Sequence, residues 1–210
     1  MGPGGGEAMH AVVLNCTLKP SPQPSNTALL AQVVVDELER LCVSVEVVKV
    51  VDLRIPPGVE TDLGEGDDWP RLHGLLLRSA ILVIASPTWL GRPSSIAQRV
   101  LERMDAMLSE TDSEGRPVAY NRVAGVVVTG NEDGAHHVIS EIAGALVDLG
   151  YTVPGQAWTY WNAGPGPGPS YADTAHGHAW SERTGRTMAR NLHAVAQAMS
   201  GAPMSAPPSE

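Results

Sequence analysis

Phenylalanine is absent from this chain, and aromatic rings are few: five tryptophans and four tyrosines among 210 residues. The core must therefore be aliphatic, and a Trp or Tyr placed in a loop becomes a candidate for a specific contact. There are only two cysteines, Cys16 and Cys42, with no C-x-x-C and no metal spacing. That excludes a disulfide framework and favours a reducing compartment. Basic residues are also scarce: 14 Lys and Arg against 23 Asp and Glu give a formal charge of −9. Neither nucleic acid nor an anionic membrane suits such a balance as a partner. No apolar run is long enough for a transmembrane helix. The Gly-rich start lacks the basic and apolar regions of a signal peptide, so the expected location is cytoplasmic. G-x-x-x-x-G-K-[ST] and G-x-G-x-x-G are both missing, which excludes the triphosphate loop and the dinucleotide fingerprint. His136-His137 and His176-x-His178 have no Cys or closely spaced acid to complete a tetrahedral set, so no metal is expected.

What remains is a regular alternation of apolar runs and amphipathic stretches. Strands are expected at 10–15, 43–51, 80–85, 123–128 and 152–159. Helices are expected at 26–41, 69–79, 93–108, 135–149 and 182–199. Ala80-Ile81-Leu82-Val83-Ile84-Ala85 is an unbroken apolar run, as in a strand buried on both faces. Strand and helix in alternation imply a parallel sheet with right-handed crossovers and helices on both faces. The expected organisation is one domain over 10–199, with 1–9 and 200–210 disordered. The acidic stretch from Glu60 to Asp68 reads as a solvated surface loop.

Ligands of such sheets bind beyond the carboxyl ends of the strands, where strand order reverses. Three loops should meet there. The first runs from Asn15 to Ser25-Asn26-Thr27, with Thr17, Lys19 and Ser21 on the way. Ser25 is a good helix N-cap. Its neighbouring hydroxyls and the helix N-terminus can cradle a phosphate, which suggests a mononucleotide such as FMN; an ordinary capped helix is the plainer alternative. Cys16 in this loop reads as a small buried hydrophobe rather than a redox group.

The second loop is Ser86-Pro87-Thr88-Trp89-Leu90-Gly91-Arg92. Trp89 offers a π-face and Gly91 an approachable backbone, both of which a flat heteroaromatic ring needs; packing is the alternative role for Trp89. The third loop is Thr129-Gly130-Asn131-Glu132-Asp133-Gly134, ahead of a helix whose N-terminus aims at the same space. It suits negative charge on a reduced ring, or it is a plain strand-to-helix turn. Tyr160-Trp161 after the fifth strand is either pocket lining or packing.

Taken together, Thr17-x-Lys19 with Ser25-Asn26-Thr27, Ser86-Pro87-Thr88-Trp89-Leu90-Gly91 with Gln98 to Asp105, and Thr129 to Gly134 resemble the flavodoxin-like NAD(P)H-dependent FMN reductase family, which includes quinone and azo-compound reductases. The resemblance covers roughly 10–160. It departs at Pro20, Pro22 and Pro24, which stiffen the first loop, and at Lys19, where arginine is more usual. It implies an α/β flavodoxin-like three-layer sandwich whose five-stranded parallel sheet has the order 2-1-3-4-5. It also implies noncovalent FMN held by Thr17, Lys19, Ser25, Asn26, Thr27, Pro87, Thr88, Trp89, Leu90, Gly91, Thr129, Gly130, Asn131, Asp133 and Gly134, and no catalytic side chain, since the flavin carries the chemistry. NAD(P)H would be the co-substrate, a small molecule the electron acceptor, and a homodimer or homotetramer the assembly. A flavodoxin-type electron carrier, which binds FMN without oxidising NAD(P)H, is the alternative.

Overall fold

Runs of Val, Ile, Leu and Ala bury both faces of a strand only when its backbone groups pair with neighbours on either side. The computed structural model, which describes residues 9–166 and 168–208, resolves that requirement with a parallel sheet. Strand β1 is His10–Asn15, β2 Ser44–Lys49, β3 Ile81–Trp89, β4 Arg92–Pro93, β5 Val123–Gly130 and β6 Trp158–Asn162. The order is β2-β1-β3-β5-β6, with β4 a two-residue antiparallel return against β3. Without that return strand the order is the flavodoxin-like 2-1-3-4-5. Of the segments expected to lack structure, residues 1–8 lie outside the described residues, as do Ser209 and Glu210.

Helices α1 (Asn26–Arg40), α2 (Trp69–Arg78), α3 (Ser95–Met104), α4 (Ala135–Asp148) and α5 (His178–Gly201) cover the two faces. The split follows strand periodicity, since alternate residues face opposite ways. Ala11, Val13, Ile81, Val83 and Val127 pack against Leu30, Val34 and Leu38 of α1 and Met188 and Leu192 of α5. Val12, Leu14, Leu82, Ile84, Val126 and Val128 pack against α2, α3 and α4. Each such fully buried Leu, Ile or Val stabilises the fold by about 1.5–3 kcal/mol.

Several expectations are corrected. The apolar run at 80–85 does not stop at the second loop: β3 continues through Pro87 to Trp89, pairing Pro87 with Thr129. The helix expected from Pro93 starts at Ser95, because Pro93 pairs with Thr88 and Ser94 is the cap. The last strand is not at 152–159. Thr152 makes an isolated bridge to Val123, a turn follows in which Ala157 N–H donates to the Pro154 carbonyl, and the strand runs from Trp158 to Asn162. The final helix also begins earlier than expected, at His178, and the chain after it is fastened where Met204 N–H donates to Asn121 Oδ1 at 2.7 Å.

The acidic stretch is not wholly solvated either. The Asp67 and Arg103 side chains are buried and lie 2.7 Å apart. Arg103 also donates to the carbonyls of Pro56 and Glu60, and its guanidinium sits 5.4 Å from the Trp69 ring centre. One buried cation thereby pins the long connection between β2 and α2 onto α3. Burial opposes charge on Asp67, but bonds from Arg103 and from the N–H groups of Trp69 and Leu63 outweigh it and hold the carboxyl below its ordinary value.

Removing the guanidinium strands a buried carboxylate, so Arg103→Leu is expected to destabilise the fold by about 3–5 kcal/mol in urea unfolding at pH 7. A carboxyl whose folded pKa lies below its unfolded one contributes stability that is complete above the unfolded value of about 3.9 and is lost as pH falls through the folded value. Wild-type stability should therefore drop on acidification below about pH 4, and the drop should be shallower in Asp67→Asn.

Candidate functional site

The parallel register brings the carboxyl ends of β1, β3 and β5 side by side, so the loops that leave them share one edge. They border an open cleft. Thr17, Lys19, Asn26, Thr27, Pro87, Thr88, Trp89, Thr129, Gly130 and Asn131 line it, ten of the fifteen residues singled out from the sequence.

The first loop is built by short-range polar bonds. Asn15 Oδ1 accepts from Thr17 N–H and from Ser25 Oγ, each at 3.3 Å. Ser25 Oγ accepts in turn from Ala28 N–H at 3.1 Å, so Ser25 is the α1 cap rather than a lining residue. The amides of Asn26 and Thr27 belong to the helical turn that lacks internal acceptors. Lys19 is exposed, and its N–H donates to Thr17 Oγ1. The proline-rich part is held from the end of β2 and the turn after it: Ser21 N–H and Oγ donate to the Asp52 carboxylate at 2.9 and 2.6 Å, and Lys49 Nζ donates to the Gln23 carbonyl. Those two bonds from Ser21 hold the Asp52 carboxyl below its ordinary value.

Two bonds lock the loops to one another. Thr27 Oγ1 and Thr129 Oγ1 lie 2.7 Å apart, joining the start of α1 to the end of β5. Ser94 Oγ donates to the Cys16 carbonyl at 2.6 Å, joining the α3 cap to the first loop. Cys16 is fully buried, and burial pushes its thiol well above the usual range, as a structural cysteine requires.

The second loop is a hairpin tip. Leu90 and Gly91 have φ of 52° and 73°, the left-handed pair of a two-residue turn between β3 and β4. A Cβ on Gly91 would meet no protein atom within 4 Å, so what the fold itself asks of this glycine is the positive φ of the turn. The close approach is at Gly134, where φ is 106° and a Cβ would lie 2.9 Å from the Gly91 Cα. Glu132 completes the junction by accepting from Leu90 N–H at 2.7 Å. Leu90, Gly91 and Gly134 thus position the tip from outside the cleft, and Asp133 is exposed beside them.

Sequence reasoning missed Leu18, Ser170 and Tyr171, which also line the cleft. The signal for the last two was Ser170-x-x-Asp173, a capping-box pattern straight after a Gly/Pro run. Trp161 lines the cleft, whereas Tyr160 points to the opposite face and packs against His136 and Trp180.

Thr88 Oγ1 is buried with no hydrogen-bond partner, although Thr88 lines the cleft. A buried hydroxyl left unpaired costs about 1–3 kcal/mol, so a ligand that bonds it recovers that cost. Unpaired helix amides at one end, an orphan hydroxyl in the middle and Trp89 at the hairpin fit a flat ring carrying a phosphate. Among the described residues no three His, Cys, Asp or Glu side chains cluster to hold a metal ion.

Residues 9–165 match the model of the NADPH-dependent FMN reductase family, and the chain belongs to that family. It is 36% identical over 175 residues to the 8-demethyl-8-aminoriboflavin-5'-phosphate synthase of Streptomyces davaonensis, covering 79% of this chain and 68% of the synthase. It superimposes with a TM-score of 0.85 on the crystal structure of RosB with a bound 8-demethyl-8-formylriboflavin-5'-phosphate intermediate, at 34% identity over 94% of this chain and 82% of that one. It is also 37% identical over 198 residues, 91% of its length, to a protein of Mycobacterium bovis named divalent metal cation transporter MntH. The chain spans only 29% of that longer protein. No helix among the described residues is long and apolar enough to cross a membrane.

Gly134→Ala should displace the hairpin tip through the contact with Gly91 and place a side chain at positive φ, a strain of about 1–3 kcal/mol. We expect flavin affinity, read by fluorescence titration, to fall by about tenfold, with circular dichroism unchanged.

Proposed function

We propose that this FMN-dependent oxidoreductase takes a hydride from NAD(P)H into bound FMN and passes the electrons to a flavin, quinone or similar small acceptor. The observation that carries the reading is the convergence of three loops on one cleft that contains an unpaired Thr88 hydroxyl. Bound FMN supplies reversible two-electron chemistry, and the chain supplies its placement. The amides of Asn26 and Thr27, with Thr17, would hold the phosphate through hydrogen bonds and the helix dipole, which suits a chain short of cations. Thr88 would bond the flavin through its free hydroxyl. Trp89, 52% exposed, would offer its ring to the flavin or the incoming substrate. Among the described residues no Asp, Glu or His lines the cleft, so the proton that accompanies the hydride would come from solvent through the open mouth.

A second reading rests on the flavin-modifying relatives: at 34–36% identity, their likeness supports a bound flavin phosphate that is itself altered. We also propose a soluble, cytoplasmic homodimer or homotetramer, in which the exposed hairpin tip, Trp89 and Leu90, meets a neighbouring subunit.

FMN-loaded protein is expected to oxidise NAD(P)H faster when a quinone is added and to return the flavin with its mass unchanged. A changed flavin mass would favour the second reading, and no NAD(P)H oxidation would favour the electron carrier. Trp89→Ala should slow turnover about three- to tenfold, while the melting temperature moves little because the ring is half exposed.

A further inference from the structure

The family match ends at Pro165, yet the cleft has a wall made by the chain that follows. Gly168 N–H donates to the Asn131 carbonyl at 2.9 Å, which ties this segment to the third loop. Ala172 N–H donates to Asn26 Oδ1 at 3.0 Å, which ties it to the first residue of α1. Gly168–His178 therefore reaches from the end of β5 to the start of α1, on the side where the helix amides wait. The segment is braced from behind. Tyr171 stacks on His178 with ring centres 3.8 Å apart, His178 Nε2 lies 2.9 Å from the Tyr171 carbonyl, and Trp161 Nε1 donates to the His176 carbonyl at 2.7 Å. Tyr171 is only 5% exposed although it borders the cleft.

We propose that this segment is a size selector at the phosphate end, so that the site accepts a flavin monophosphate and refuses a flavin dinucleotide. The inference rests on the flavin-phosphate reading of the cleft. A dinucleotide continues beyond the first phosphate with a second phosphate and an adenosine, and that continuation needs the space that Ser170 and Tyr171 hold. Charge acts in the same direction. The segment carries Asp173, whose carboxylate is held beside Ser170, and Lys19 is the sole cation lining the cleft among the described residues. A second phosphate would find no added Lys or Arg in the lining to balance it.

The test is to titrate the protein, stripped of flavin, with FMN and with FAD, and to repeat it with Tyr171→Ala and His178→Ala while recording thermal midpoints. Wild type is expected to bind FMN at least about 100-fold more tightly than FAD, and loosening the brace should narrow that ratio by about tenfold or more. His178→Ala leaves the cleft lining intact and carries the test if Tyr171→Ala does not fold. The proposal is overturned if wild type binds the two flavins within about threefold, or if folded variants keep the wild-type ratio. Failure of wild type to bind either flavin would instead remove the flavin reading, and this proposal with it.

Discussion

Pairing of β3 between β1 and β5 is the constraint on which the rest depends. From Ile81 to Ser86 every residue of β3 is buried, so the strand has no face on which to carry function. Its backbone is used up by parallel partners on both sides, and the register aligns all three strands at their carboxyl ends. The polar residues Asn15, Thr88 and Thr129 fall where these strands run out, and there they come together. The Thr27 to Thr129 and Ser94 to Cys16 bonds then fix three loops from distant parts of the sequence as one unit.

Much of this was legible beforehand because the signals are local. Unbroken aliphatic runs mark the central strands, and Ser25 marks a cap. The second loop was misread because Pro87 looks like a strand terminator. It is tolerated since the parallel sheet is ending there, and the chain continues extended into a hairpin. The turn itself was hidden because Leu90 occupies a left-handed position usually given to Gly or Asn. The last strand was misplaced because Thr152 and Val153 have strand propensity, while the turn after Pro154 leaves the pairing to the aromatic run that follows.

What was not legible depends on tertiary partners. Nothing near Arg103 in sequence announces that its charge is satisfied by Asp67 and by carbonyls some forty residues away. Nothing near Tyr171 announces Asn26. Both cases place a long connection by hydrogen bonding rather than by hydrophobic periodicity, and periodicity is what a sequence reading measures. The site residues divide on the same line. Thr17, Asn26, Thr27, Pro87, Thr88, Trp89, Thr129, Gly130 and Asn131 line the cleft from the ends of β3 and β5, the loops after β1 and β5, and the start of α1. Ser25, Leu90, Gly91 and Gly134 shape it from behind.

The central claim is that this edge of the sheet holds a flavin through its phosphate as well as its ring. Comparing the dissociation constants of FMN and riboflavin by quenching of flavin fluorescence tests it most directly, since the two ligands differ only in the phosphate. The account predicts that FMN binds at least about tenfold more tightly, and that Thr17→Ala, which removes the side-chain hydroxyl offered to the phosphate, narrows the difference. Equal affinity for the two flavins, or no quenching by either, would contradict it.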